Sequence, residues 1–302
     1  MTQGPHCGAR ETIPMQIFDP HIHCFSRTTD DYERMRDAGI RIVNEPAFWL
    51  GQPRTSVGSF KDYFDTLLGW ERFRAAQYGI LHVCTLSLNP KEANDDRVND
   101  AVLELLPDYL EKESVVGVGE IGFDEMTAKE DKYFRAQLAL AKEHGLVALI
   151  HTPHRDKKKG VERTIDLVLE MDLNHDLVII DHNTEETIPM VKDRTYCWAG
   201  HTIYPQTKLS PERATKIIQE FGTDRMLINS SADWGESDPL NVPIAVANMR
   251  RAGLSELEIE KVVWRNPVEF FAQSGRLDLA LLDALDAPDK SGFFAGNTVL
   301  RR

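Results

Sequence analysis

Two histidines stand one residue apart in the stretch Asp19-Pro20-His21-Ile22-His23, directly after the apolar run at 15–18. In extended backbone, residues two positions apart point the same way, so both imidazoles can reach one metal ion. Such a pair arises by chance fairly often. It becomes informative only when further ligands converge on it.

Further chemistry-bearing residues follow later apolar runs of the same kind. Glu120 follows 115–119, His151 follows 146–150, Asp181-His182 follows 177–180, and Asp233 lies shortly after 225–229. Taken singly, each histidine has an ordinary explanation as a strand-end residue, and each carboxylate as a helix cap or an arginine partner. Because five such runs end in a histidine or a carboxylate, we predict a shared metal site.

Eight short apolar runs, rich in β-branched residues, alternate with amphipathic segments, which is typical of parallel strands buried on both faces. The runs are 15–18, 40–43, 80–86, 115–119, 146–150, 177–180, 196–200 and 225–229. The spacing predicts helices over 59–76, with Ser59 as a cap, over 129–144, ended by Gly145, and over 210–222, capped by Ser210.

This alternation predicts an α/β fold, a (β/α)8 TIM-type barrel, in which polar residues at the carboxyl ends of the strands form the active site. An open doubly wound sheet alternates in the same way and remains the other candidate. We expect a flexible tail at 1–14, one barrel domain at 15–285 and a second tail at 286–302.

The composition narrows the class of protein. Acidic residues outnumber basic ones by 48 to 35, and the net charge of −13 disfavours binding of polyphosphates at long range. No segment approaches the roughly 20 apolar residues of a membrane span. The four cysteines are widely spaced, which indicates a reducing compartment, and we expect a cytoplasmic protein.

The ordered strand-end motifs resemble the amidohydrolase superfamily. The stretch Gly-Glu-Ile-Gly-Phe-Asp at 119–124 and the Asn-Pro-x-x-Phe-Phe ending at 266–271 are similar to the TatD-related metal-dependent hydrolases. The resemblance covers roughly 16–275.

The resemblance implies one or two divalent metal ions. One would lie among His21, His23, Glu120 and Asp233, and the other would be held by Glu120, His151 and His182, with Glu120 bridging. Asp233 would also accept a proton from the attacking water. Mixed nitrogen and oxygen ligands favour Zn, Mn, Fe or Ni, with Mg as a further candidate.

The sequence departs from the family pattern at two places. TatD-type deoxyribonucleases usually carry His-Pro-His after the third strand, where this chain has Leu88-Asn89-Pro90-Lys91. The usual Glu-Thr-Asp after the eighth strand is replaced by the stretch Ser230 to Gly235. These changes spare the remaining ligands and weaken the case for a nuclease substrate.

The residues that contact substrate are predicted less specifically. His154, Arg155 and the lysines at 157–159 form a basic cluster after the fifth strand, which suits a phosphate or carboxylate and equally suits a solvated loop. Tyr204 and Trp234 are candidate pocket residues, although Tyr204, like Trp49 and Trp198, also fits a packing role. Glu45, His201 and Lys208 are weaker candidates, and His82 is expected in the core.

We therefore predict a metal-dependent hydrolase that acts on a phosphoester, ester or amide of a small molecule. A TatD-type 3′-5′ DNA exonuclease, a metal-binding barrel without turnover and a metal-assisted lyase remain as alternatives. Nucleic acid is a less favoured partner, no membrane partner is expected, and the oligomeric state is left open.

Overall fold

The computed structural model describes residues 15–286 and contains one sheet of eight parallel strands. Neighbours in the sheet are neighbours in the chain, which is the order of a barrel and not of a doubly wound sheet. The strands are β1 (Ile17–Asp19), β2 (Ile40–Pro46), β3 (Leu81–Leu86), β4 (Val115–Gly122), β5 (Val147–His151), β6 (Val178–Ile180), β7 (Trp198–Thr202) and β8 (Met226–Asn229). Each predicted run forms a strand, and the (β/α)8 barrel is confirmed.

The barrel closes between β1 and β8 through the residues that follow these strands. The Ser231 N–H donates to the His21 carbonyl at 2.7 Å, and the His23 N–H donates to the Ala232 carbonyl at 2.9 Å. The Ser230 N–H donates to the Asp19 carboxylate at 3.2 Å. We call this set of contacts the seam.

Helices connect the strands and pack around the barrel. In the described chain the α-helices are α1 (Thr29–Asp37), α2 (Val57–Asp65), α3 (Arg72–Gln77), α4 (Pro90–Ala93), α5 (Asn99–Leu110), α6 (Ala128–His144), α7 (Lys157–Glu170), α8 (Ile188–Arg194), α9 (Pro211–Phe221), α10 (Asn241–Arg251), α11 (Glu256–Glu260), α12 (Asn266–Ala272) and α13 (Ala280–Asp286). π-Helical turns at Thr66–Glu71 and Lys261–Arg265 join α2 to α3 and α11 to α12.

The three predicted helices are present, with one error in capping. The helix expected over 59–76 forms as α2, the π-helical turn and α3, but its N-cap is Ser56, whose Oγ accepts from the Ser59 N–H at 3.2 Å. Ser59 is therefore the third helical residue and not the cap. The cap Ser210 of α9 is confirmed, and Gly145 ends α6 in the left-handed conformation, with φ 63°.

Successive strand residues alternate between two apolar clusters, as the period of a strand requires. The outer cluster joins the strands to the surrounding helices. The inner cluster includes Phe18, Ile42 and Leu149 from the strands, together with Phe270 and Phe271 of α12. This packing holds the strands rigidly, so their carboxyl ends present side chains at fixed positions.

The described chain begins and ends at the amino ends of the strands. Asp286, the last residue of α13, pairs with Arg41 of β2 at 2.7 Å and with Arg36 of α1 at 2.8 Å. It therefore belongs to the folded unit, one residue beyond the predicted boundary. The rest of the two predicted tails lies outside the described residues.

None of the helices between residues 15 and 286 combines the length and the apolar character needed to cross a membrane. Cys24, Cys84 and Cys197 are buried as free thiols. Cys7 lies outside the described residues.

Candidate metal centre

Side chains from the carboxyl ends of β1, β4, β5 and β6 meet at one rim of the barrel. Three overlapping groups of possible ligand atoms form there, with the atoms of each group within 4.8 Å of one another. The groups are His21–His23–Glu120, His21–Asp181–His182 and Glu120–His151–His182. All six of these side chains are buried. The structure thus brings together five of the six predicted ligands and adds Asp181.

The first group is built on the two histidines after β1. Nδ1 of His21 lies 2.6 Å from Oδ2 of Asp181, and its Nε2 lies 3.2 Å from Nε2 of His23. A carboxylate only accepts hydrogen bonds, so Nδ1 of His21 carries the proton and Nε2 carries the lone pair. The lone pair on Nε2 of His21 therefore points towards the ring of His23. Two histidines that bind the same metal ion are arranged in this way.

His182 is oriented in the same way by a neutral partner. The Thr202 hydroxyl donates to Oδ1 of Asn229 at 2.8 Å, so its oxygen accepts from Nδ1 of His182 at 2.7 Å. The lone pair of His182 is therefore on Nε2, which lies 3.0 Å from Oε1 of Glu120. Two atoms that both carry lone pairs at this distance repel each other unless a proton or a metal ion lies between them.

Glu120 connects the groups. Its Oε1 lies 2.6 Å from Nδ1 of His151 and 3.8 Å from Nε2 of His21. Its Oε2 accepts from the amide of Asn89 at 3.1 Å. Nitrogen and carboxylate ligands at buried, mutually facing positions fit divalent ions of the Zn, Mn, Fe or Ni type, and the residues present therefore fit the implied metals.

The electrostatics of the site favour the protonation states that bind metal. Burial alone would raise the pKa of Glu120, but the neighbouring His151 and His21 hold it well below its usual range. The pKa of Asp181 is also held low against burial, by His182 and His21. Burial lowers the pKa values of His23 and His182, which are therefore neutral ligands at neutral pH.

The backbone at this rim is shaped to admit these groups. His182 adopts the left-handed conformation, with φ 59°, which is uncommon for a residue with a side chain and is found preferentially at functional sites. Across from it, a Cβ on Gly200 would lie 2.1 Å from Oδ1 of Asp181. Only glycine leaves space for that carboxylate.

Asp233 is outside the three ligand groups. Its Oδ1 accepts from the Tyr204 hydroxyl at 3.1 Å and from the Gly235 N–H at 2.8 Å. The chain turns at Ser231, with φ 43°, before it reaches Asp233. The roles expected for Asp233, as ligand and as base, stay predictions.

Of the predicted substrate residues, His154 and Trp234 lie near the ligand groups. Phe48 stacks on His23 with ring centroids 3.8 Å apart, and the exposed Trp234 lies 5.0 Å from Phe48. The ring of His154 is 6.1 Å from that of His151, whereas Arg155 is exposed. Tyr204 is almost fully buried against Asp233, so its hydroxyl positions that loop.

Four of the weaker candidates are buried outside the ligand groups. Glu45 and His82 form a buried pair, with Oε2 and Nε2 2.8 Å apart, and Trp198 packs in the inner cluster. His201 is buried and belongs to none of the three ligand groups. The expectation of a core position for His82 is confirmed.

Three residues that contact the site or its loops carried only a weak signal in the sequence. Asn89 binds the carboxylate of Glu120 from the stretch Leu88 to Lys91, which lacks the His-Pro-His element discussed above. Asp181 directly precedes His182, and this adjacency was the available signal. Lys208 reaches Oγ of Ser231 at 3.2 Å, a contact between two distant loops that no local pattern marks.

Fold and site together define a metal-dependent hydrolase on a TIM barrel. The family model of the TatD related DNases matches residues 18–272, and the chain belongs to that family. It is 27% identical to an uncharacterized metal-dependent hydrolase of Methanocaldococcus jannaschii, covering 84% of this chain and 99% of the relative.

Two solved structures show the same fold. The TatD-like protein of Archaeoglobus fulgidus superimposes with a TM-score of 0.71 at 26% identity, covering 84% of this chain and 99% of that one. The phosphotriesterase homology protein of Escherichia coli, solved with phosphate in its active site, gives 0.62 at 16% identity, covering 85% and 99%. The second likeness concerns the fold alone.

Proposed function

We propose that this hydrolase acts on a phosphoester, ester or amide of a small molecule with two divalent ions, of Zn, Mn, Fe or Ni, or of Mg. The observation that carries the proposal is the set of nitrogen and oxygen ligand atoms that converge on Glu120, with the atoms of each group within 4.8 Å of one another. Such ions would polarise the scissile bond and lower the pKa of water.

The roles of the side chains follow from their contacts. His21, His23, Glu120 and Asp233 would surround one ion, and Glu120, His151 and His182 would hold the other. Asp181 keeps the proton of His21 on Nδ1, and Asn89 holds the second oxygen of Glu120. These positioning contacts leave the ligand lone pairs directed inward, as outer partners of metal ligands do.

Asp233 is the proposed proton acceptor. Both hydrogen bonds that its carboxylate accepts within the described chain fall on Oδ1, which leaves Oδ2 for a proton. The proposal requires the loop after β8 to bring that oxygen to the attacking water. His154, whose ring lies beside that of His151, and Trp234, beside Phe48, are the proposed substrate contacts, together with Arg155 and Tyr204.

The experiment is a metal analysis combined with a substrate screen. The purified chain, loaded with each metal in turn, is tested on phosphoesters, lactones, amides and single-stranded DNA. We expect Glu120→Ala to weaken both metals and His151→Ala mainly one. A chain that binds no divalent ion at neutral pH would contradict the proposal.

Asp233→Asn tests the base separately. We expect nearly full metal content and a loss of turnover of about a hundredfold or more, the scale of general-base catalysis. A near-normal rate with full metal would remove Asp233 from the reaction.

A DNA exonuclease is the second candidate, favoured by the family to which the chain belongs. The net charge of −13 opposes it, because each phosphate contact needs a cation. We expect hydrolysis of single-stranded DNA to stay below about 1 s⁻¹. We also propose a cytoplasmic location, which the three buried free thiols support.

A further inference from the structure

Two lysines of the rim reach the metal centre from different loops. Lys157, the first residue of α7, donates from Nζ to the carbonyl and to the hydroxyl of Thr152, both at 3.0 Å. Lys208 donates to Oγ of Ser231 at 3.2 Å and lies 5.5 Å from the centre of the Tyr204 ring. Both side chains are half-buried, whereas Lys158 and Lys159 are exposed.

Neither ammonium group has a carboxylate within 4.0 Å in the part of the chain that the structure describes. Two other half-buried cations do have one: Lys91 pairs with Asp124 at 2.9 Å, and Arg74 pairs with Glu71 at 2.7 Å. Withdrawing a charge from water without an opposite charge is costly. The two lysines therefore have unused capacity to bind an anion.

Their anchors place them on either side of the ligand groups. Thr152 follows the ligand His151, and its hydroxyl donates to the Asp181 carbonyl at 2.7 Å. On the other side, the Ser231 N–H donates to the carbonyl of the ligand His21. Burial, and then the charge of Lys208, lowers the pKa of Lys157 to about 7, which indicates that the two cations are close enough to influence each other.

The charges at the site call for an anionic substrate. Glu120, Asp181 and Asp233 contribute the negative charges that attract Lys208, and Lys208 and the protonated form of Lys157 oppose them. Each divalent ion then adds positive charge that no buried carboxylate of the three ligand groups offsets. An anion with several oxygens, placed between the lysines, would restore the balance.

We propose that Lys157 and Lys208 together bind the phosphoryl group of the substrate, which makes the substrate a phosphate monoester of a small molecule. Two ammonium groups from different directions act as point charges and suit a tetrahedral dianion with three terminal oxygens. A planar carboxylate is better matched by an arginine fork, and Arg155, the nearest candidate in sequence, is exposed. This inference rests on the proposed hydrolase function and names its substrate class.

The proposed reaction is hydrolysis of the phosphate ester by water. The bond between phosphorus and the ester oxygen breaks, and a bond forms between phosphorus and the oxygen of water. One water proton passes to the leaving oxygen and the other stays on the phosphate. The products are an alcohol and inorganic phosphate, so inorganic phosphate is a probe of the site.

The test measures binding of inorganic phosphate to the full chain by calorimetry, both metal-loaded and after chelation. Lys157→Met and Lys208→Met keep the length of the side chain and remove its charge, and Lys158→Met is the matched control at an exposed neighbour. We expect each of the first two to weaken binding at least about tenfold in both states, because each removes a charge-assisted contact with the anion. The control should bind like wild type.

Several results would overturn the inference. The inference is refuted if the wild type does not bind phosphate, or if Lys157→Met and Lys208→Met bind it as the wild type does. It is also refuted if acetate binds as tightly as phosphate and depends on both lysines in the same way. Thermal unfolding shows whether each variant is folded. Lys157→Arg and Lys208→Arg keep the charge and should retain binding. If a methionine variant fails to fold, Lys157→Gln or Lys208→Gln at the same position removes the charge with a polar end and should lose binding to the same extent.

The two proposals fail in different ways. If phosphate binding depends on both lysines but no substrate is hydrolysed, the proposed function fails and the binding site stands. If phosphomonoesters are hydrolysed and the lysine variants bind phosphate like wild type, the hydrolase stands and this inference fails.

Discussion

At the scale of single residues, the orientation of His182 depends on a chain of hydrogen bonds. Thr202 links it to Asn229, and the amide of Asn229 donates to Oδ1 of Asp181 at 2.9 Å. A ligand whose second nitrogen loses its partner is free to rotate and to change tautomer. Contacts of this kind usually contribute 10- to 100-fold to metal affinity.

Thr202→Val should therefore lower metal affinity by about 10-fold or more, with little change in the overall fold. Competition with a chromophoric chelator measures this. Thr164→Val is the matched control, because the Thr164 hydroxyl is buried in α7 without a hydrogen-bond partner in the described chain. Equal affinities in the two variants would show that Thr202 does not position His182.

Glu45 gives a prediction for pH. Burial raises its pKa from 4.5 to about 8, so between these values the folded chain holds a proton that the unfolded chain releases. Stability contributed by this group is then lost as the pH rises, by up to about 1.4 kcal/mol for each pH unit below 8. Burial lowers the pKa of its partner His82 to about 4, so His82 stays neutral above pH 6.5.

Glu45→Gln cannot ionise, and its advantage over wild type in free energy of unfolding should grow from pH 6.5 to 8. Urea unfolding at several pH values measures the difference. Glu113→Gln, at an exposed position, should give a constant difference across the same range. A constant difference for Glu45→Gln as well would mean that the group is ionised in the folded chain throughout.

At the scale of elements, the start of α2 distinguishes two neighbouring serines. Ser56→Ala removes the oxygen that accepts from the Ser59 N–H and should cost about 1 kcal/mol, the usual value for an N-cap. Ser59→Ala removes a hydroxyl that donates to the Ser56 carbonyl, an exposed contact, and should cost less. Urea unfolding of both variants checks the order, and the reverse order would restore Ser59 as the cap.

The elements were predicted well because their signals are local. Strands such as 115–119 and 146–150 are continuous apolar runs, and α9 carries a cap, a proline and a terminal glycine in the right places. Ser59 was mistaken for the cap because Ser56 and Ser59 are both acceptable by residue type, and only backbone conformation separates them.

The sequence predicts those site residues that lie at strand ends. His21 lies two residues after β1, and Glu120 and His151 lie in the last residues of β4 and β5, so the barrel alone brings them together. Asp233 and Lys208 lie in loops whose course depends on Ser231, Tyr204 and other distant contacts. Periodicity carries no information about such contacts, so the place of Asp233 among the ligands stays a prediction, and Lys208 was one weak candidate among several.

For the molecule as a whole, we expect the seam between β1 and β8 to hold the barrel closed. Oδ1 of Asp19 accepts from the backbone N–H groups of His21 and Ser230, both at 3.2 Å. Asp19→Ala leaves two buried donors without an acceptor, at about 1–3 kcal/mol each. Because the seam joins the first and last strands, the loss should shift a single unfolding transition of the entire barrel.

Asp19→Asn is the matched control, since its amide oxygen can still accept both bonds. Burial raises the pKa of Asp19 to about 7, so the neutral amide is close to the form already present near neutral pH. We expect a cost well below that of the alanine variant, measured by urea unfolding after chelation. A small cost for Asp19→Ala would show that the carbonyl contacts of the seam suffice.

The pairing of Asp286 with Arg36 and Arg41 has a practical consequence for handling this protein. The first and last described residues both lie at the amino ends of the strands, and the ligand groups lie at the carboxyl ends. A linker, affinity tag or solid support attached beyond either one starts from the face opposite the opening through which substrate must enter. Immobilised or fused forms should therefore keep substrate access, and either attachment point should serve.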